Sequence, residues 1–583
     1  MGIRQNFMTG SGVLTRRFDK ASTGGLSFSA WITRADAWTC ESGLSLLCPW
    51  HQPFETYDLQ ELEGLSTTAL TGGRRNPHPL DYIFHPRSIA VVGISAEFAK
   101  IWIKMIYLDS LLHKGYPGQI YLVNPKGGEM EGLPIYRTLK DIPGPVDHVV
   151  VSIPAPYTPK LMEECRDIGV KVVHVFSSGY AETGEPDRIE LQNRLVEIAR
   201  QGNMRIIGPN CLGIYYPGGR IGLSPDFPME PGPVGYLCQS GGNVSYGVRH
   251  AAARGLRFSK VVSYGNACDI NECDLLDYFA EDPETRVIAA YIEGVKDGAR
   301  LIKALNKAAA AKPVVVFKGG FTGGGLRAAA SHTGSLAGTD VVWDTLIRQA
   351  GAIRVYSVEE MVDMLVALLR VRPPKGLNTC VVGYGGGASV MATDEIESAG
   401  LRLIPVPEEM RAKLKEFIDL ANSMLRNPID AGPMAAIDGF ELISSMGNRN
   451  PAEFLRERAA AGLTPRWSRL NAALQEWPGL DLVVYHHGLD VNPLPVERQR
   501  VAGGTGSLVL AAKACELPKA VVIHSMGNDQ TRQASAEVRA LCAEFGLPLF
   551  VSMRGAAAAI RKLIDYNQAY PDRLSRLHAP SEA

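Results

Sequence analysis

The chain reads as an α/β protein built from three doubly wound sheets in succession. Three observations point there. Apolar runs of strand length alternate with helical stretches from residue 89 onward. The strand candidates are continuously apolar, as strands covered by helices on both faces are. The alternation also stops and restarts twice, which fits a length of 583 residues and a prior of about 150 residues per domain.

In the first unit the expected strands are 89–92, 119–123, 148–153, 170–176 and 205–207, with helices over 158–169 and 187–201. In the second they are 234–237, 258–263, 287–293 and 313–317, with helices over 242–254, 274–280 and 298–311. The proline-rich link Val371-Arg372-Pro373-Pro374-Lys375 precedes the third, whose strands are 379–382, 482–485, 520–524 and 549–550. Residues 430–480 are less periodic and read as a helical or loop insertion. Residues 1–77 show no strand–helix alternation and read as a poorly ordered extension. The expected domains are therefore 1–77, 78–216, 217–374 and 375–583.

Composition narrows the function classes. A net charge of −1 gives no reason to expect a nucleic acid or an anionic membrane as partner. Ten cysteines without CxxC spacing read as free thiols in a reducing compartment and supply no metal site. No apolar run reaches membrane-spanning length and no leader pattern opens the chain, so the expected location is cytoplasmic.

Chemistry concentrates at strand ends. Gly93 follows the first strand directly, where an open sheet lets backbone approach a nucleotide-shaped ligand. Asn124-Pro125-Lys126 end the second strand, Ile153-Pro154-Ala155 the third and Gly208-Pro209-Asn210-Cys211-Leu212-Gly213 the fifth. The segment 94–100 supplies no further glycine. In the second unit, Gln239-Ser240-Gly241-Gly242 turns from a strand into a helix and offers N–H groups and a hydroxyl to an anion. Glu293 stands at a later strand end. A glycine-rich turn, 319–325, then leads to Ser331-His332-Thr333-Gly334-Ser335-Leu336-Ala337-Gly338, a single histidine among small and hydroxylated residues. Parallel sheets gather such strand ends, so Ser240, Glu293 and His332 are expected to meet. A carboxylate beside the imidazole would fix its tautomer and raise its basicity, as a phosphoryl acceptor needs. Trp467, Trp477, His486 and His487 read as turn or packing residues.

At these residues the chain resembles the NDP-forming acyl-CoA synthetases, the ADP-forming acetyl-CoA synthetase branch of the succinyl-CoA synthetase superfamily. The histidine segment resembles their phosphohistidine segment, and His85-Pro86-Arg87-Ser88-Ile89-Ala90-Val91-Val92-Gly93 the opening of their CoA-binding domain. Gly383-Tyr384-Gly385-Gly386-Gly387-Ala388 and Asn427-Pro428-Ile429-Asp430 resemble parts of the third domain. The resemblance spans about residues 80–430 well and the remainder loosely. It implies a Rossmann-like CoA-binding domain followed by two flavodoxin-like domains.

By the same resemblance, His332 and Glu293 are catalytic, and Ser240, Gly241, Gly242, Ser331, Thr333 and Gly334 bind phosphate. Gly93, Ser95, Asn124, Pro125, Lys126, Ile153, Pro154 and Ala155 contact CoA. The substrates are CoA and a small carboxylic acid. Mg-ATP or Mg-ADP sits on a separate ATP-grasp β-type subunit, because no segment here resembles that domain, and the assembly is a hetero-oligomer. The alternative is a non-catalytic module of the same fold that binds CoA or acyl-CoA. A Rossmann oxidoreductase fits less well, since Asn124-Pro125-Lys126 stands where an acidic ribose contact would be.

Overall fold

The computed structural model describes residues 78–95, 101–333, 339–419, 423–462, 464–489, 501–524 and 531–578. The expected extension 1–77 lies outside them. Among the described residues, three sheets form. The first contains β1 (Ser88–Val92), β2 (Gln119–Val123), β3 (Gly128–Met130), β4 (Leu133–Tyr136), β5 (His148–Val151), β6 (Val172–Val175) and β7 (Arg205–Ile207), in the order β3-β4-β2-β1-β5-β6-β7. The second contains β8 (Gly213–Tyr215), β9 (Val234–Cys238), β10 (Phe258–Ser263), β11 (Val287–Ile292), β12 (Val314–Lys318) and β13 (Ile353–Val355), in the order β13-β12-β11-β9-β10-β8. The third contains β14 (Asn378–Gly383), β15 (Arg402–Leu403), β16 (Ile429–Asp430), β17 (Leu482–Gly488), β18 (Lys519–His524) and β19 (Leu549–Phe550). Its order is β15-β14-β17-β18-β19, with β16 pairing β14.

Pairing is parallel except at β3–β4 and β8–β10. Strands β1, β5, β9, β10 and β11 are buried along their whole length, which accounts for their mostly apolar sequences; the polar residues they carry, such as Ser259 and Lys260 on β10, are buried with them. Helices start where side chains cap them: Ser240 accepts from Asn243 N, Asn271 from Cys273 N and Asp274 N, and Ser357 from Glu360 N. The described cysteines are free thiols. Among the described residues no helix is long and apolar enough to cross a membrane.

The structure departs from the sequence reading at several places, and the short strands β13, β15 and β16 were not expected either. The hairpin β3–β4 is new; its strands are only three and four residues long and partly exposed, too short to register as a period. Strand β8 is also new, and it joins the second sheet antiparallel to β10. The expected boundary at 216 thus falls after a strand that already belongs to the second sheet. Residues 319–325 are not one continuous turn, because a helix begins at Gly323 and runs through Ser331 and His332 to Thr333. Thr322 caps it by accepting from Gly325 N at 3.1 Å. Glycine costs little in a first turn whose N–H groups lack helical partners anyway. The insertion at 430–480 resolves into three helices, Gly432–Met446, Pro451–Ala461 and Pro465–Gln475. Trp467, Trp477, His486 and His487 are all buried there or on β17, so packing, not turn formation, is their role.

One apolar core joins the second and third sheets through the helices Val358–Arg370 and Met553–Ala569. Lys562 Nζ donates to Arg354 O at 2.9 Å, and Arg573 donates to Gly351 O at 3.1 Å, pinning the C-terminal helices to the second sheet.

His148 on β5 and His174 on β6 face each other in the apolar layer of the first sheet, with ring centroids 6.2 Å apart. His174 Nε2 donates to Cys211 O at 3.2 Å, whereas neither nitrogen of His148 has a partner among the described residues. Burial brings His148 down to about 3 and His174 to about 4, from 6.5. Both are neutral when folded, and the unfolded chain takes up protons below pH 6.5. Stability is therefore fully present above that value and is lost as the pH falls toward 4, by about 2 kcal/mol per histidine at pH 5. Melting temperature measured from pH 7.5 to 5 is expected to fall less steeply in His148→Leu than in the wild type. Parallel slopes would show that His148 is protonated in the fold.

Candidate active site

The first sheet reverses direction beside β1. The chain moves from β1 to β2 on one side, and β5 to β7 lie on the other, which opens a crevice at the carboxyl ends of β1 and β5. Gly93 forms its floor with φ at +93°, and its N–H donates to Val123 O at 2.9 Å. A Cβ here would stand 2.3 Å from Ser152 O, so no larger residue fits. Asn124 stitches the rim: Nδ2 donates to Ile94 O at 2.7 Å and Oδ1 accepts from Lys126 N at 3.0 Å. Pro125, Lys126 and Pro154 are exposed, Ser95 and Ile153 half-buried, and Ala155 buried at the start of a short helix. Ile153 O accepts from Ser177 Oγ at 2.6 Å. Three separate strand ends thus converge around one crevice. Residues 96–100, the rest of the glycine-poor segment, lie outside the described residues.

The segment Gly208–Gly213 leaves this sheet and lies against the second. Asn266 N donates to Pro209 O and Cys268 N to Gly208 O, both at 3.0 Å. Gly265 allows the approach, since a Cβ there would meet Pro209 O at 2.2 Å. Leu212 covers Gly241, whose Cβ would fall 2.9 Å from the leucine side chain. Gly242, by contrast, has room: a Cβ there would meet only Ser240 Oγ, at 3.9 Å.

The second sheet reverses between β9 and β11. Gln239, after β9, donates its N–H to Tyr291 O at 3.1 Å. Its side-chain Oε1 accepts from Glu293 N at 2.6 Å and Gly294 N at 3.2 Å. This clamp holds Glu293, 5% exposed, beside the first turn of the Gly241–Ala252 helix that Ser240 caps. The Tyr291 phenol bonds both Glu293 and Asn243, and burial followed by the Glu293 charge pushes its pKa up. Tyr291 lies against Gly319, where a Cβ would come within 2.5 Å of the phenol oxygen.

Beside it, Lys318 ends β12, one register step from Glu293 through the Ile292–Lys318 pair. Lys318 is buried, donates to Gly319 O, and lies 5.4 Å from the centre of the Trp343 ring. Burial brings it down to about 8, against the opposing pull of Glu293.

A cleft of about 90 Å³ borders Gln239 and Gly294 and is lined by Asn266, Glu272, Lys296 and Arg300. Burial pushes the Glu272 carboxyl up to about 6. Lys296 Nζ donates to Ala267 O at 2.9 Å.

The Gly323–Thr333 helix packs against Ala181–Thr183 of the first unit. Ser331, His332 and Thr333 occupy its last turn; their side chains, and Gly334 entirely, lie outside the described residues. The structure therefore unites Ser240 and Glu293 through Gln239 and Asn243, and gives the backbone course toward His332. Tyr291, Lys318 and Glu272 were not among the expected site residues. A lysine ending an apolar strand just before the glycine turn was the one signal available for Lys318.

Residues 87–217 match the family model of a CoA binding domain, and residues 231–368 that of a succinyl-CoA ligase like flavodoxin domain. The chain is 38% identical over 367 residues to the acetate–CoA ligase [ADP-forming] I subunit alpha of Pyrococcus furiosus, covering 62% of this chain and 78% of that one. This chain belongs to the family of ADP-forming acetate–CoA ligase alpha subunits. Within that family it is also 37% identical over 357 residues to the acetate–CoA ligase [ADP-forming] of Methanocaldococcus jannaschii, covering 60% of this chain and 49% of that longer one. The family fold extends into the third sheet. The dinucleotide-forming acetyl-coenzyme A synthetase 1 of Ca. Korarchaeum cryptofilum, solved with phosphate and ADP, superposes with a TM-score of 0.66 at 28% identity. The match covers 86% of this chain and 99% of that one.

Replacing Gln239 by Leu leaves the buried N–H groups of Glu293 and Gly294 without an acceptor. The expected loss is about 3 kcal/mol of unfolding free energy in urea. A loss below about 1 kcal/mol would show that another group takes over both bonds.

Proposed function

We propose that this chain is the α-type subunit of an acid–CoA ligase. It interconverts acyl-CoA, ADP and phosphate with acid, CoA and ATP through an acyl phosphate and a phosphohistidine. The observation that carries this reading is the Gln239 clamp, which fixes a buried carboxylate beside a capped helix N-terminus at a sheet's switch point, in a chain of this family.

CoA lies across the first-sheet crevice, along Gly93, Ser95, Asn124 to Lys126 and Ile153 to Ala155. Its pantetheine arm leads toward the second sheet. A phosphate oxygen, held by Ser240 Oγ and the N–H groups of Gly241 and Gly242, attacks the thioester carbonyl. The C–S bond breaks, the thiolate takes a proton and CoA leaves as the thiol. The His332 imidazole then attacks phosphorus, and the P–O bond to the acyl group breaks, releasing the carboxylate. Glu293 orients the ring and stabilises its charge as the N–P bond forms. Ser331, Thr333 and Gly334 hold the phosphoryl oxygens. A β-phosphate oxygen of ADP accepts the group in the last step, a transfer governed by positioning and charge neutralisation.

The relatives named as alpha subunits favour a partner chain. We assign it an ATP-grasp fold and the Mg-ADP site, so the working enzyme is a hetero-oligomer. The lack of a spanning helix among the described residues is compatible with work in the cytoplasm. The acid is a small carboxylic acid; relatives are named for acetate and for 4-hydroxybutyrate.

Full-length protein incubated with acetyl-CoA and radiolabelled phosphate is expected to acquire an acid-labile, base-stable label that disappears in His332→Ala. Label persisting in that variant would refute the phosphohistidine. Glu293→Gln is expected to slow labelling on the order of 10²-fold while CoA binding is retained. Equal loss of both would mean that the substitution unfolds the site.

A further inference from the structure

Lys318 is a buried cation for which the steps above find no use. It ends β12, and the next residue begins the turn that leads into the helix carrying His332. Lys318 is 2% exposed to solvent. The carboxylates whose charge it feels, Glu293 on β11 and Asp340 on the Asp340–Gln349 helix, act through space rather than through a bond. Arg354 on β13 is the neighbouring cation that opposes it. Arg354 is already paired, with Asp340 and with Asp344 at 3.5 Å. Lys318 is therefore the cation of this corner that faces Glu293 and Asp340 without closing an ion pair among the described residues.

Its surroundings connect it to both flanks of the histidine segment. Before the segment, Lys318 donates to Gly319 O, and Gly319 rests on the Tyr291 phenol that bonds Glu293. After it, Lys318 packs on Trp343 in the helix that follows. A lysine in so dry a position is costly unless its charge meets an opposite one. On the phosphohistidine reading, phosphorylation of His332 adds about two negative charges to the site that holds Glu293. Like charges in a buried site repel strongly unless a fixed cation offsets them.

We propose that Lys318 is a positioning residue for phosphoryl transfer, placed beside Glu293 to offset the charge that builds when His332 is phosphorylated. This rests on the phosphohistidine reading above. Deprotonation of Lys318 removes the effect, so transfer is expected to decline above about pH 8.

The test is the initial rate of base-stable labelling of full-length protein by acetyl-CoA and radiolabelled phosphate, measured from pH 6.5 to 9.5. Lys318→Met is expected to slow labelling on the order of 10²-fold and to abolish the alkaline decline, with melting temperature and CoA binding retained. Lys318→Arg, which keeps the charge, is expected to recover most of the rate and to move the decline to higher pH. A Met variant with wild-type rate and profile overturns the proposal, as does equal loss in well-folded Met and Arg variants. If Lys318→Met does not fold, the wild-type profile decides: a rate that stays level up to pH 9.5 overturns it. His332→Ala separates the two readings. Label surviving there refutes the phosphohistidine itself, whereas label lost there but normal in Lys318→Met refutes only the role of Lys318.

Discussion

Two buried backbone N–H groups at the end of β11 share one acceptor, the Gln239 side chain. Much of the site hangs on that bond pair. Glu293 could point in many directions from an unconstrained strand end. Clamped, it is held next to the helix that Ser240 caps, and Tyr291 can bridge from it to Asn243. The bridge in turn requires Gly319 in the adjoining chain, because any Cβ would collide with the phenol. Lys318 follows from the same geometry, one residue earlier on the neighbouring strand.

The surrounding architecture brings other parts of the chain to this point. The first sheet gathers three strand ends at its switch point, and the Gly208–Gly213 segment seats it on the second. Asn266 reinforces the seam by donating to Glu182 Oε2 at 2.5 Å and to Gln192 Oε1 at 3.0 Å, both in the first unit. On the opposite side, Arg254 and Asp363 form a buried ion pair near Gly555 of the C-terminal helix. Buried pairs add little net stability, but breaking one is costly, so they favour one docking geometry over its neighbours. A ligand whose reactive end must travel between sites needs such fixed distances.

How much of this was legible beforehand varied with the length and burial of each element. Long strands covered on both faces announced themselves as apolar runs. The hairpin β3–β4 and strand β8 did not, being three or four residues long and, for the hairpin, partly exposed. The helix at Gly323 was hidden by its opening glycines, which signal a turn unless the capping Thr322 and the alanines that follow are weighed against them. Among the expected site residues, Ser240, Glu293 and Gly93 could be singled out because each follows a strand directly or within two residues with a residue type that suits its place. Gln239 was visible as part of a motif, but not as a clamp.

The sequence by itself determined the α/β class, the succession of three sheets, the strand ends where chemistry gathers and the family to which they point. These are local properties, carried by periodicity, glycine placement and short motifs. Only the tertiary structure decided that Tyr291 serves Glu293, that Lys318 lies beside both, and that β8 belongs to the second sheet. Those facts depend on strand register and on close approach between chain segments tens of residues apart. Neither is written in any stretch of sequence; both arise when the sheets pack.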